Sequence, residues 1–233
     1  MPFSPLPAGD SWPLLLTSVV LHAVYNLLLM QSYRVGEFNQ VYPLARGTSP
    51  LVVAAVAVLL VGEHLSLLQL LGVLVVSAGL ASLVLVGGRP RPQQWPALTA
   101  AIATGLAIAA YAVVDGLGVR RSGSALGYTA WLFLLQGPVL PLLALSRRRG
   151  RLWAGLRPHL RAGTACGVLS LIAYGLVLGA QTRGALAAVA ALRETSVIIG
   201  AIIGAVFLHE RFGRPRLIAT ILVATGIVLL NIP

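Results

Sequence analysis

Asn39-Gln40-Val41-Tyr42-Pro43-Leu44-Ala45-Arg46-Gly47-Thr48-Ser49-Pro50, running on through Leu51-Val52-Val53-Ala54-Ala55-Val56-Ala57-Val58-Leu59-Leu60-Val61-Gly62 to Glu63, is the stretch on which the fold turns. A hydrocarbon core about 30 Å thick takes roughly 20 helical residues to cross. The stretch is long enough, and Arg46 is its one charge before Glu63. It reads as a membrane-spanning helix with an arginine held inside it. Such a charge is costly unless it faces protein, water or a counter-ion.

Working outward, seven further apolar stretches of similar length are bounded by Pro, Gly or charged residues. The eight run Trp12 to Gln31, Asn39 to Gly62, Leu65 to Val86, Trp95 to Val119, Ala125 to Leu145, His159 to Ala180, Gly184 to Leu208 and Pro215 to Ile232, and are called spans a to h. Composition agrees: 58% of the 233 residues are hydrophobic and 10% charged, against about 25% charged in soluble domains. Mean hydropathy is +0.89. The expected fold is an all-α membrane protein. Only about 50 residues lie outside the spans, too few for a soluble catalytic domain. Met1 to Ser11 has three prolines and no basic residue, so it does not read as a cleaved leader.

All 17 basic residues are arginine. Without lysine, a phosphate-binding Walker loop and a Schiff-base lysine are both excluded. The lone Cys166 forms no intrachain disulfide, and the four histidines lack metal-ligand spacing. No enzyme chemistry, metal or cofactor is expected. The net charge of +11 is mostly a topology signal rather than a nucleic-acid footprint. Connections after spans a, c, e and g hold most of the arginines, which by the positive-inside rule places that side in the cytoplasm.

The sequence also repeats itself. A shift of 147 positions lays spans b and c over g and h without a gap: Arg46 falls on Arg193, Thr48 on Thr195, Ser49 on Ser196, Glu63 on Glu210, and Gly79 on Gly226. After a two-residue slip Tyr25 falls on Tyr174. Spans a, b, c thus correspond to f, g, h, and f is the fifth span after a, an odd offset, so the copies enter the membrane from opposite sides. Inverted repeats of this kind build transporters with a central site opened alternately to either side. Residues 1–88 form a partial first repeat of three helices and residues 95–233 a complete second repeat of five. Two spans are expected to be missing from the first copy, or supplied by a homo- or heterodimer partner.

Tyr42-Pro43-Leu44-Ala45-Arg46-Gly47-Thr48-Ser49-Pro50 with Gly62-Glu63 after it, and Ala191-Leu192-Arg193-Glu194-Thr195-Ser196 with Glu210-Arg211-Phe212 and Gly226 after it, resemble the EamA-like branch of the drug/metabolite transporter (DMT) superfamily. The resemblance covers nearly the whole chain. It implies two EamA units, ten helices where this chain has eight, export of amino acids and other metabolites, and no cofactor.

The candidate substrate-binding residues are Arg46, Arg193, Tyr42, His22, Asn26 and Tyr111. Arg46 lies about 10 Å into span b at 1.5 Å per residue. A guanidinium at that depth suits a carboxylate or phosphonate, which it grips bidentately. Among the acids only Glu37, near the membrane edge, comes close to its depth, so a ligand or a missing helix is the expected counter-ion. Replacing Arg46 by Ala is therefore expected to abolish binding and leave stability intact. Asp115 and Arg193 fall at similar depth, so they pair with each other or serve function. His22, Tyr25 and Asn26 share one face of span a. Tyr111 and Asp115 share a face of span d by four-residue spacing. Glu194 and Asp115 are the proton-coupling candidates, since carboxylates within a membrane mark proton routes. Glu194 lies about 100° around the helix from Arg193, so the two need not share a partner. Glu63 and Glu210 are expected to cap the hairpin turns in which they sit. Pro43, Pro50, Pro138 and Pro141 are expected to interrupt helices. The pairs Gly163/Gly167, Gly175/Gly179 and Gly200/Gly204 are expected to pack against neighbouring helices.

These features point to a secondary-active exporter of small polar or anionic, amino-acid-like metabolites in an inner membrane, exchanging substrate for protons. Its partners are a small molecule and the bilayer, not nucleic acid. The alternatives are a non-transporting membrane subunit that assembles with a partner, and a translocase of lipid-linked headgroups.

Overall fold

The structure is a computed structural model that describes residues 6–35, 38–82, 92–148, 157, 160–196, 199 and 214–230, without the side chains at 38–40, 146–148 and 214–216. Among these residues there is no strand. Helix α1 spans Trp12–Val35, α2 Phe38–Val56, α3 Leu67–Ser82, α4 Trp95–Arg121, α5 Ala125–Gln136, α6 Val139–Arg148, α7 Leu160–Gln181, α8 Leu186–Leu192 and α9 Arg214–Leu230. Among the described residues, five helical stretches are long and apolar enough to cross a membrane: Gly9–Val35, Val41–Val61, Pro92–Arg121, Ala125–Leu145 and Leu160–Gln181. Leu67–Ser82 and Leu217–Leu230 are shorter apolar helices. Each of the eight expected spans holds helix, and the chain is an all-α membrane protein.

The helix ends follow local chemistry. Pro13 and Pro96 sit in the first turns of α1 and α4, where a missing N–H costs nothing. Ser124, in extended backbone, caps α5 by accepting from the Gly127 N–H at 3.0 Å. Gly62 at φ 76° turns the chain out of α2 after a wide π turn over Ala57–Val61. Ser66 and Gln69 then form a reciprocal capping box on α3, at 3.2 and 3.0 Å.

Several expectations about these ends are corrected. Pro43 and Pro50 do not interrupt α2, which runs through both. Pro138 does break span e, because it has no N–H to continue the α5 ladder, and a new helix starts at Val139. Pro141 lies in the first turn of that helix. Glu63 caps at long range, its carboxylate accepting the Leu186 N–H of α8 at 2.8 Å, while Ser66 caps α3 in the hairpin that follows α2. Glu63→Ala is expected to cost about 1 kcal/mol, as N-cap losses do, read as a lower melting temperature in detergent. Glu210 lies outside the described residues.

The chain forms two compact units that cut across its sequence repeats: Met1–Ala23 with Val114–Arg183, and Val24–Val113 with Gly184–Pro233. In the first, Leu15, Val119, Tyr128, Leu132 and Leu178 form a buried core from α1, α4, α5 and α7. Trp12 and Trp131 meet edge to face at 5.3 Å. The Arg120 Nε–H donates to the Gln181 carbonyl at the end of α7 at 2.9 Å, satisfying a free helix-end acceptor.

In the second unit α3 packs along α9 at glycine distance. A Cβ on Gly72 would stand 2.7 Å from the Gly226 carbonyl oxygen, and one on Gly226 2.7 Å from that of Gly72. Gly79 faces Ala219, Leu222 and Val223. The 147-position shift takes Gly72 to Ala219 and Gly79 to Gly226. The contact Gly72–Gly226 and the contact Gly79–Ala219 are therefore images of one another, the signature of a two-fold relation between surfaces. Gly105 of α4 faces α2 in the same way, its Cβ position 2.7 Å from the Ala45 carbonyl oxygen and 2.8 Å from Thr48 Cβ. The packing glycines are thus not the expected ones: Gly163, Gly167 and Gly179 meet nothing within 4 Å, and Gly175 makes only ordinary contact with Thr129 at 3.6 Å. Gly200 and Gly204 lie outside the described residues.

Candidate functional site

Each unit holds one polar cluster. In the second unit it forms where span g gives up regular helix. The α8 ladder ends at Leu192, and the backbone tightens through Arg193 and Glu194, whose N–H donates to Ala191 O, three residues back, at 3.0 Å. The turn sends successive side chains in different directions. Glu194, 2% exposed, meets Arg46 of α2 at 3.0 Å from Oε2 to Nε. Neither atom has an aligned hydrogen bond among the described residues, so the contact is electrostatic and its geometry is not locked. The other end of the guanidinium donates from Nη2 to Ser196 Oγ at 2.7 Å, on the exposed side. Arg46 also stacks over the Tyr42 ring at 5.8 Å.

Arg193 takes a separate partner, as its angular offset from Glu194 suggests. Its Nη2 donates to the Tyr111 hydroxyl at 2.9 Å, and the guanidinium lies 5.8 Å from the Tyr111 ring centroid. Tyr25 of α1 closes on the same ring at 5.4 Å, edge to face. Asn26, next along α1, is half-buried. The cluster sets two arginines and one carboxylate beside the rings of Tyr42, Tyr111 and Tyr25.

In the first unit the centre is Asp115 of α4, fully buried. Tyr128 of α5 donates to Oδ1 at 3.0 Å, and Tyr174 of α7 donates to Oδ2 at 2.6 Å. His22 Nε2 stands 4.0 Å from Oδ2, and its ring meets that of Tyr174 edge to face at 5.7 Å. Gly118 leaves the space that the Tyr128 ring fills.

One expectation is overturned here. Arg46 has an acid in this chain after all, Glu194. Depth along a regular helix does not match Glu194 to Arg46, because the helix gives way to a turn at Arg193. Asp115 is held by two phenols and stands near a histidine, and Arg193 donates to Tyr111. The structure brings together Arg46, Tyr42, Arg193, Tyr111 and Glu194, and places His22 with Asp115. Sequence reasoning missed Ser18 and gave Ser196 no function. It reached Tyr174 only as the repeat counterpart of Tyr25.

No curated protein matches the chain. Among solved structures, one crystal structure with a TM-score of 0.75 and 18% identity covers 95% of this chain and 78% of its own, which establishes a shared fold. Residues 95–232, more than half of the sequence, match the EamA-like transporter family, a family of membrane transporters within the DMT superfamily and not of enzymes. With that match and the helical repeat architecture, the chain belongs to the EamA-like transporter family.

Proposed function

We propose that this integral membrane protein is a secondary-active exporter of small anionic or zwitterionic, amino-acid-like metabolites in an inner membrane, working by alternating access and exchanging substrate for protons. The observation that carries the substrate class is the Arg46 guanidinium, paired with buried Glu194 and donating to exposed Ser196, with Arg193 in the same cluster donating to Tyr111. Two guanidinium groups beside one carboxylate suit an anionic guest. Glu194 acts as an internal counter-ion. A substrate carboxylate or phosphonate displaces it from Arg46, and when the substrate leaves, Glu194 returns, so Arg46 keeps a counter-ion in the empty site. Arg193 supplies a second grip, and the rings of Tyr42, Tyr25 and Tyr111 flank the guest. Export as the direction follows the family's habit.

The test is uptake and counterflow in proteoliposomes with labelled amino acids, phosphonates, uncharged analogues and a lipid-linked headgroup. Anionic and zwitterionic solutes should move and uncharged analogues should not. Preferential movement of cationic solutes would refute the reading, and movement of the lipid-linked species alone would mean headgroup translocation. Arg46→Lys and Arg193→Lys keep the charge but lose the planar fork. Each is expected to raise KM about tenfold, equivalent to about 1.4 kcal/mol, with a smaller change in turnover.

A further inference from the structure

We infer that His22, set between Ser18 and Asp115, is the proton-binding group of this transporter, and that it belongs to proton coupling rather than to the substrate site. Its role in coupling rests on the transport reading above; the protonation itself does not. Two hydrogen-bonding options meet at one ring nitrogen. His22 Nδ1 lies 3.1 Å from the Ser18 hydroxyl, which can donate to it, and 3.0 Å from the Ser18 carbonyl oxygen, which can only accept from it. A neutral ring that accepts the hydroxyl proton at Nδ1 carries its own proton at Nε2, on the Asp115 side; when the hydroxyl donates to the Asp115 carboxylate instead, Nδ1–H donates to the Ser18 carbonyl. A protonated ring donates Nδ1–H to the carbonyl and keeps Nε2–H on the Asp115 side. Ser18 serves both states without a rearrangement of the backbone.

Asp115 supplies the counter-charge. Its two oxygens accept from the Tyr128 and Tyr174 hydroxyls, and the Ser18 hydroxyl is a further donor, an arrangement that serves the ionised carboxylate. The titratable groups that face the pair among the described residues are Asp115 from α4, Tyr128 from α5 and Tyr174 from α7, with His22 itself on α1. Uptake of one proton from water converts the His22–Asp115 pair from a single negative charge to neutral, and release reverses it. A net charge inside a bilayer is costly and a neutral pair much less so. Protonation thus removes the charge that opposes a change of access, which is what a coupling site must do. The 4.0 Å between Nε2 and Oδ2 is an ion-pair distance.

The experiment is nitrogen NMR of the full chain, labelled at histidine and held in lipid nanodiscs, across a pH series, with proteoliposome transport measured at the same pH values. The signal that His22→Gln removes should titrate in the wild-type protein. In Asp115→Asn it should stay in one state over the range where the wild type changes, and transport should lose its pH dependence. Tyr174→Phe, which keeps the ring and its packing, should move the His22 midpoint on the order of one pH unit by loosening Asp115; it keeps the inference testable if Asp115→Asn does not fold. A wild-type His22 that holds one state throughout, or titration and pH profile unchanged in both Asp115→Asn and Tyr174→Phe, overturns the inference. A titrating His22 in a protein that carries none of the solutes overturns the transport reading instead.

Discussion

Arg46→Ala is expected to abolish transport and also to destabilise the protein by about 3–5 kcal/mol, the usual consequence of leaving one member of a buried ion pair alone. Sequence reasoning expects the opposite for stability, because it finds no acid at the depth of Arg46. Glu194, 2% exposed and 3.0 Å from Nε, overturns that. Once Arg46 is gone, Glu194 is an uncompensated carboxylate in a medium that solvates it poorly. Adding Glu194→Gln to Arg46→Ala should therefore restore most of the melting temperature and none of the transport. The four proteins of the cycle separate the two roles of Arg46: coupling between the substitutions appears in stability, while transport tracks Arg46 alone. Equal melting temperatures for wild type and Arg46→Ala would show that the pair contributes nothing to the fold. Recovery of transport in the double variant would show that Arg46 is not a substrate contact.

Gly226→Val is expected to be the most damaging substitution of an uncharged residue. Its Cβ would stand 2.7 Å from the Gly72 carbonyl oxygen and 2.9 Å from the Val76 nitrogen. These are backbone atoms of α3, so no side chain can swing aside and the helices must separate. Overpacking in a filled core costs about 1–3 kcal/mol even where side chains can adjust; here the cost is expected at the top of that range or above it. Gly79→Val, the repeat counterpart, should do similar harm, since its Cβ meets Leu222 Cβ at 2.9 Å and the Ala219 carbonyl oxygen at 3.2 Å. Gly163→Val, with nothing within 4 Å of its Cβ position, is the control and should leave the melting temperature near that of the wild type. Thermal unfolding in detergent, followed by loss of monodisperse protein, reads all three.

The contrast between these glycines shows where sequence legibility stops. A small-xxx-small spacing marks a place where helices can approach, and Gly163/Gly167 has it as clearly as any pair in the chain. Whether another helix arrives is a matter of tertiary arrangement. Gly72 and Gly79, seven apart and so on one helical face, are the ones against which α9 is laid. The charges behave alike: Arg46, Arg193, Asp115 and Glu194 all stand out as ionisable groups within apolar spans, which is why the polar residues of both clusters were singled out. Their pairing was not legible, because a single turn at Arg193 changes which side chain faces α2, and a helix drawn as regular cannot anticipate it.

Length and hydropathy alone dictate that this chain spans a membrane as helices, since a backbone in hydrocarbon must satisfy its own hydrogen bonds. The 147-position repeat dictates that Gly79 and Gly226 are equivalent, and the absence of lysine removes whole classes of chemistry. Those conclusions rest on periodicity and composition, which are properties of the chain read in order. Partner choice belongs to the fold: Glu63 capping a helix that begins 123 residues later, Glu194 facing Arg46, and Asp115 held by Tyr128 and Tyr174. Each joins residues far apart in sequence across a few ångströms, and at that range the interaction depends on the packing of helices, which no local pattern encodes.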